Sequence, residues 1–250
     1  MSSNIQKVRI LDTEFFNVDR LTACDIIERE LQKKERFIYA AVKDVSLAIR
    51  SQEDLFLSKF YEKCDYIFVD GKGLLYASRL LGRPLKEMVG GPGLYNELLK
   101  RSNEKGYRLF LLGGTNDTLA RTVQHIKKRL PKINIVGWNN GYFNLEESER
   151  IVDEINSQET EILFLGISTP KREQFIAGMK DHFNNMLCIP VGGVFDNEAG
   201  ITRYAPKVIA ALGLEWLYRS IQEPERLMKR YLKTHSKFLW CLIRDLIKSR

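Results

Sequence analysis

The clearest strand-to-helix unit in this sequence is RLFLLGGTNDTLARTVQHIKKRL, residues 108–130. A continuous apolar run, typical of a strand buried on both faces, is followed by two glycines and then by apolar residues at helical spacing. Thr115 or Asn116 is the expected start of the helix, because both side chains can accept hydrogen bonds from its first free backbone N–H groups. One βα unit of a parallel sheet is therefore predicted here.

Five further apolar runs flank this unit. They are RFIYAAV at 36–42, YIFVD at 66–70, INIVGW at 133–138, EILFLGI at 161–167 and LCIPVGG at 187–193. The segments between them, such as EESERIVDEINSQ at 146–158 with Asn144 as its start, repeat apolar residues at helical spacing. This alternation predicts an α/β fold with a doubly wound, mostly parallel sheet. We expect one core domain over residues 1–205 and a helical C-terminal appendage over 206–250.

The composition excludes several classes of protein. The four cysteines form no CxxC pair and the three histidines are far apart, which disfavours a structural zinc site. The N-terminus has no apolar signal region, and no stretch approaches the run of about 18 apolar residues needed to cross a membrane. A cytoplasmic protein is therefore expected. No GxGxxG and no GxxxxGK[ST] occurs, which disfavours a dehydrogenase, a nucleotide-sugar epimerase and a P-loop enzyme.

The formal charge of +7 is concentrated near the C-terminus. Residues 219–250 hold nine Lys or Arg against three Asp or Glu. One face of the expected helix carries Leu227, Tyr231, Phe238, Leu242 and Leu246, with Trp240 and Ile243 beside it. A basic amphipathic helix of this kind can lie at an anionic membrane surface, which is the favoured interpretation. The alternative is a helix docked on the core. No nucleic-acid partner is expected, because no binding module accompanies the charge.

Ligands of a doubly wound sheet bind beyond the carboxyl ends of its strands, so the residues there are candidates for chemistry. Gly113 and Gly114 suit a phosphate near the following helix, although a tight turn uses the same residues. Asp70 follows an apolar strand, where it can act as a general base or cap the next helix. No Asp-x-Asp occurs, and the nearest acidic pair at a strand end is Asp196 with Glu198. A metal-bound diphosphate of the Asp-x-Asp kind is therefore not expected.

Six strings in this sequence resemble the WecG/TagA/CpsF family, glycosyltransferase family 26. They are VDGKGLLYASRLLGRPLKEMVGGPGLYNELL, FLLGG, VGWNNGYF, STPKREQFI, VGGVFDNEAGITRYAPK and LGLEWLYRSIQEPERLMKRYL. The resemblance implies a Rossmann-like core and an inverting, metal-independent enzyme without a cofactor. It also implies transfer of N-acetylmannosamine, its uronic acid or a related sugar from UDP to an undecaprenyl-diphosphate-linked acceptor. The enzyme would lie on the inner face of the cell membrane, and a homo-oligomer is left open.

The resemblance also assigns residues. Asp70 corresponds to the proposed catalytic base, and Tyr142 and Asp196 to uracil contacts close to Gly113 and Gly114. Three tail positions correspond to cations that would close over the active site and meet the diphosphates: Arg219, Arg226, and either Lys229 or Arg230. Arginine suits this role because its planar fork pairs with phosphate oxygens without a metal.

Three departures from the family pattern lie near the expected donor pocket. Val42 and Asp44 stand where many relatives have Thr-x-Asn. Lys171 and Arg172 belong to a Pro-Lys-Arg-Glu string where relatives have Pro-Lys-Gln-Glu. Tyr204 replaces the Arg of Arg-Ala-Pro. We expect Asp44, Lys171 and Arg172 to contact the donor, and the two new charges to alter which sugar is accepted. Asp44 and Arg172 pairing with each other is the structural alternative. A non-catalytic nucleotide-sugar or lipid-diphosphate binding protein is the functional alternative.

Overall fold

The computed structural model describes residues 5–248, apart from the side chains of Lys207, Arg226 and Lys248. Its strands are β1 (Lys7–Ile10), β2 (Thr13–Phe16), β3 (Ile38–Lys43), β4 (Tyr66–Val69), β5 (Arg108–Gly113), β6 (Asn134–Asn139), β7 (Ile162–Gly166) and β8 (Leu187–Pro190). Its helices are α1 (Arg20–Lys33), α2 (Val45–Glu53), α3 (Leu55–Glu62), α4 (Lys72–Leu80), α5 (Gly91–Lys105), α6 (Asn116–Arg129), α7 (Ser148–Ser157), α8 (Lys171–Met179), α9 (Val194–Glu198), α10 (Lys207–Ala211), α11 (Glu215–Gln222) and α12 (Pro224–Lys248). Short 3-10 turns occupy Leu145–Glu147 and Lys180–His182.

Six strands form one parallel sheet in the order β4-β3-β8-β7-β5-β6, flanked by helices. Each of these strands lies within or overlaps one of the six apolar runs. The predicted α/β, Rossmann-like class is therefore confirmed. The strands at the centre of the sheet are buried on both faces, as their continuous apolar sequences require. Thr115 caps α6 by accepting a hydrogen bond from the backbone N–H of Thr118 at 3.1 Å, as predicted.

One element was not predicted. β1 and β2 form an antiparallel hairpin outside the main sheet, joined by Leu11 and Asp12. Leu11 adopts a left-handed backbone with φ of +51°, a conformation that hairpin turns usually assign to Gly or Asn. The loop therefore carries no turn signal in the sequence, which is why the hairpin escapes prediction.

The chain forms two compact units. The first unit combines the N-terminal segment up to Arg20 with Val42–Gly90 and the segment that begins at Arg203. The second unit consists of Leu21–Ala41 and Gly91–Thr202. Its core includes Tyr95, whose ring packs edge-on against Phe164 at 4.8 Å between centroids. The predicted boundary near residue 205 stays a prediction.

Candidate active site

In the second unit, candidate residues follow four neighbouring strands at their carboxyl ends. Gly113 ends β5, Tyr142 follows β6, Lys171 follows β7 and Asp196 follows β8. Because all four strands are parallel, these residues share one edge of the sheet, where ligands of open α/β sheets bind.

The glycine turn after β5 is explained partly by packing. A Cβ atom on Gly113 would lie 2.5 Å from the carbonyl oxygen of Gly166 in β7, so only glycine fits there. Gly114 has a left-handed φ of +66°. Asp117 already places a carboxylate in the first turn of α6 and pairs with Arg121 at 3.1 Å. Whether a phosphate or a nucleoside lies beside the glycine turn stays a prediction.

The loop after β6 lies directly on this glycine turn. The backbone N–H of Gly141 donates to the carbonyl oxygen of Gly114 at 3.0 Å. The next residue, Tyr142, exposes 78% of its surface, and its backbone N–H donates to Oδ1 of Asn140 at 3.0 Å. An exposed aromatic ring on an anchored loop is a suitable surface for stacking a nucleobase.

Lys171 is not a free cation. Its Nζ donates to the carbonyl oxygen of Gly141 at 2.8 Å and to that of Phe143. The same ammonium lies 4.0 Å from the ring centroid of Phe143. Burial lowers the pKa of Lys171, and the Glu147 carboxylate offsets part of that shift. The structure thus commits this side chain to the loop that carries Tyr142.

Arg172 is buried and has carboxylate and hydroxyl partners close by in sequence. Its Nε donates to Oε1 of Glu173 at 3.0 Å, and its Nη2 donates to Oγ1 of Thr169 at 3.0 Å. Asp44 also has a structural role, since its Oδ1 accepts from the backbone N–H of Leu47 at 2.7 Å and caps α2. Both side chains therefore have structural partners within the protein. Their contacts with a donor sugar stay predictions.

Asp196 is half-buried in the first turn of α9, and its backbone carbonyl accepts from Ile201 at 2.9 Å. Glu198, its acidic neighbour, pairs with Arg129 at 3.1 Å. Within residues 5–248, three or more His, Cys, Asp or Glu side chains do not come together as a metal site. The contact of Asp196 with uracil stays a prediction.

Asp70 stands at the end of β4 in the first unit. Its backbone N–H donates to the carbonyl oxygen of Lys43 at 2.8 Å, which fixes it to the end of β3. Gly71, with φ of +79°, is the N-cap residue of α4, and that cap has no side-chain hydrogen bond. The N-cap position of α4 thus falls on Gly71 and not on Asp70. Its side chain is half-exposed, and its role as a general base stays a prediction.

Three predicted site residues meet around Tyr231 on α12. Burial raises the pKa of Tyr231, the Asp44 carboxylate raises it further, and the Arg230 and Arg219 guanidinium groups lower it. The Arg230 guanidinium lies 4.8 Å from the Tyr231 ring centroid. The Nε atom of Arg219 lies 3.7 Å from Oε1 of Glu223. Lys229 is exposed, and the side chain of Arg226 lies outside the described atoms.

The guanidinium groups of Arg219 and Arg230 have unused hydrogen-bonding capacity. The Nε atom of each is buried and makes no hydrogen bond in the part of the chain that the structure describes, and that of Arg219 lies 3.7 Å from Oε1 of Glu223. Leaving a charged donor unsatisfied is costly, so native proteins rarely do so without a ligand or water in that place. An anionic ligand for these two arginines stays a prediction.

The tail begins with a contact to α4 that the sequence analysis missed. Lys72 Nζ donates to the carbonyl oxygen of Ala211 at 2.9 Å, and Tyr76 OH donates to the same oxygen at 3.4 Å. Lys72 and Tyr76 are four residues apart on α4, so their shared helical face was the available signal. Gly213 packs here with φ of +76°, and a Cβ on it would lie 3.1 Å from Cβ of Lys72.

We expect Gly213→Ala to destabilise the first unit by about 1–2 kcal/mol, because alanine resists the left-handed conformation. Denaturant titration followed by tryptophan fluorescence measures this change. Gly178→Ala is the matched control, since Gly178 lies in α8 with open space around its Cβ position. This control should gain about 0.5–1 kcal/mol. Equal effects of both substitutions would contradict the proposed packing at Gly213.

The face of α12 that the sequence assigns to a membrane is covered by protein. Leu227, Tyr231, Phe238 and Leu242 are buried, and α12 packs along α2. The docked-helix alternative is therefore the correct one for this face. A second apolar stripe is exposed instead, and it consists of Leu232, Leu239, Trp240, Ile243 and Ile247. No helix among residues 5–248 has the length and apolar character to cross a bilayer.

Similarity to known proteins agrees with this geometry. The sequence pattern described as the glycosyl transferase WecG/TagA/CpsF family matches residues 8–250. A Bacillus spizizenii protein is 28% identical over 195 residues, covering 78% of this chain and 74% of the relative. A Staphylococcus aureus protein is 30% identical over 229 residues, covering 90% and 88%. Both are named N-acetylglucosaminyldiphosphoundecaprenol N-acetyl-beta-D-mannosaminyltransferase. The chain therefore belongs to the WecG/TagA/CpsF family and is a glycosyltransferase.

Proposed function

We propose that this enzyme transfers a neutral N-acetylated hexosamine, N-acetylmannosamine or a close relative, from UDP to an undecaprenyl-diphosphate-linked acceptor. The names of the two relatives support this acceptor and this class of sugar. The buried, unsatisfied Nε atoms of Arg219 and Arg230 are the observation that carries the proposal. Both substrates present a diphosphate, which is the ligand that paired guanidinium groups recognise best.

The proposed chemistry is a single inverting displacement. Asp70 removes the proton from the attacking acceptor hydroxyl as that oxygen bonds to the anomeric carbon of the donor. The bond from that carbon to the UDP oxygen breaks, and the guanidinium groups of the tail neutralise the charge that develops on the diphosphate. This scheme assigns no step to a metal ion.

Asp44 supports a neutral donor sugar over its uronic acid. It places a carboxylate near Tyr231, in the same cluster as Arg219 and Arg230. With Arg219 and Arg230 engaged by the diphosphates, a carboxylate on the donor sugar would meet the charge of Asp44 and be repelled, whereas a hydroxyl or an amide can donate a hydrogen bond to Asp44. Repulsion between Asp44 and the carboxylate of a uronic acid would then make binding of the neutral sugar more favourable.

We further propose that the enzyme lies peripherally on the inner face of the membrane that holds its acceptor. The exposed stripe of α12 supplies apolar side chains, while Lys233 and Arg244 lie nearby on the same helix. Apolar residues between cations suit an anionic lipid surface, to which each cation contributes about 1 kcal/mol.

Activity should be retained in excess EDTA, because Arg219 and Arg230 supply the positive charge that Mg²⁺ supplies in other transferases. The measurement is UDP release from a UDP-N-acetylhexosamine with a lipid-diphosphate acceptor, with and without chelator. Activity lost to EDTA and restored by Mg²⁺ or Mn²⁺ would reject the metal-independent scheme. Donor binding without acceptor-dependent UDP release would instead favour a non-catalytic binding protein.

A further inference from the structure

Lys171 links the two peptide groups on either side of Tyr142. Its ammonium donates to the carbonyl oxygens of Gly141 and Phe143, which flank the exposed tyrosine in sequence. The Phe143 ring covers the same ammonium at 4.0 Å and is itself buried. A single cation at the first residue of α8 thereby holds both ends of a three-residue loop that follows β6.

These contacts use most of the binding capacity of the side chain. An ammonium has three donors, and two of them point to carbonyl oxygens while an aromatic face covers the group. A substrate phosphate would have to compete with partners that are already in place. The arrangement therefore argues against a direct contact of Lys171 with the donor phosphates, one form of the donor contact that the sequence predicts.

The remaining contacts of the loop leave Tyr142 presented to solvent. Gly141 N–H is bound by the Gly114 carbonyl, and Tyr142 N–H is bound by Oδ1 of Asn140. The backbone is thus fixed on both sides, while the phenol ring exposes most of its surface. A preorganised aromatic surface loses less conformational freedom when a base stacks on it than a mobile one does.

We infer that Lys171 is a positioning residue that holds Tyr142 ready to stack on the base of the nucleotide. The inference rests on the proposed function with a UDP-sugar donor, and on the family resemblance, which implies that Tyr142 meets the uracil ring of that donor. It assigns to Lys171 an effect on nucleoside affinity that passes through Tyr142, and no direct effect on the diphosphate.

A double-mutant cycle on UDP affinity tests this inference, using calorimetry on wild type, Lys171→Met, Tyr142→Ala and the double variant. We expect each single substitution to weaken UDP binding by about tenfold, the size of one or two lost contacts. The double variant should bind no more weakly than Tyr142→Ala, because the loop then has no ring to position. If the two losses of UDP affinity multiply in the double variant, Lys171 acts independently of Tyr142 and the inference is overturned. Weaker pyrophosphate binding by Lys171→Met would show direct phosphate contact and overturn it as well.

Hydrogen exchange in the ligand-free protein separates this inference from the proposed function. Amides of residues 141–144 should exchange faster in Lys171→Met than in wild type, while amides elsewhere keep their rates. Lys128→Met removes an exposed lysine of α6 and should leave the loop unchanged. Lys171→Gln keeps an N–H donor and should restore part of the protection. Unchanged exchange in Lys171→Met would overturn the inference, whereas wild type that fails to bind UDP would reject the proposed function alone.

Discussion

We expect Asp70→Asn to lower turnover by about 100-fold or more while leaving UDP affinity and the fold unchanged. A positioned general base contributes about 10²–10⁴-fold to a rate, and asparagine cannot accept the proton of the acceptor hydroxyl. The amide matches the carboxylate in shape. The backbone bond from Asp70 to Lys43 does not involve the side chain, so it should persist in the variant.

Steady-state kinetics and UDP calorimetry together check this expectation. Asp153→Asn is the control, because it removes the charge of an exposed carboxylate on α7 and should leave both quantities unchanged. A loss confined to turnover places Asp70 in the chemical step. Turnover of Asp70→Asn near the wild-type rate would show that Asp70 is not the base.

The second large effect concerns the arginine cluster of the tail. Arg219→Ala should lower turnover by about 100-fold even with a soluble acceptor analogue, because a charged donor aimed at the leaving diphosphate is lost. Lys233→Ala removes an exposed cation from the following helix, α12, and should leave turnover of the soluble acceptor unchanged. Equal turnover in both variants would remove Arg219 from the mechanism.

Membrane attachment should respond to different residues. Replacing Trp240 and Ile243 by Glu should weaken binding to anionic vesicles by about tenfold or more, since two large apolar side chains no longer enter the lipid. Turnover of the soluble acceptor should stay at the wild-type rate. Vesicle co-sedimentation measures the first effect, and unchanged binding would reject the membrane proposal. Deleting the whole tail is less informative, because it would uncover the face of α2 that α12 buries.

Much of the fold follows from the sequence because each strand of the parallel sheet is buried on both faces. Runs such as 108–114 and 161–167 are continuously apolar for that reason. The tail was harder to interpret. α12 has two apolar stripes, one around Phe238 and one around Trp240, and periodicity alone does not tell which stripe meets α2.

The candidate site was predictable in position but less so in its contacts. The rule that ligands bind at strand ends selects Asp70, Tyr142 and Lys171 without a structure. It does not reveal that Lys171 donates hydrogen bonds to the carbonyl oxygens of Gly141 and Phe143. Every residue has a backbone carbonyl, so the sequence does not indicate which of them a lysine will contact. The turn at Asn140 could have been predicted from the sequence. The side-chain oxygen of an Asn often accepts a hydrogen bond from the backbone N–H two residues later, as Asn140 does from Tyr142.

Mass spectrometry of the lipid-linked product is the most direct test of the proposed reaction. The purified enzyme is given an undecaprenyl-diphosphate-linked N-acetylglucosamine and a mixture of UDP-sugars in EDTA. The proposal predicts an acceptor extended by one neutral N-acetylhexosamine, formed by wild type and Lys233→Ala and largely absent with Asp70→Asn. An acceptor that stays unmodified with wild type, or one extended equally by Asp70→Asn, would contradict it.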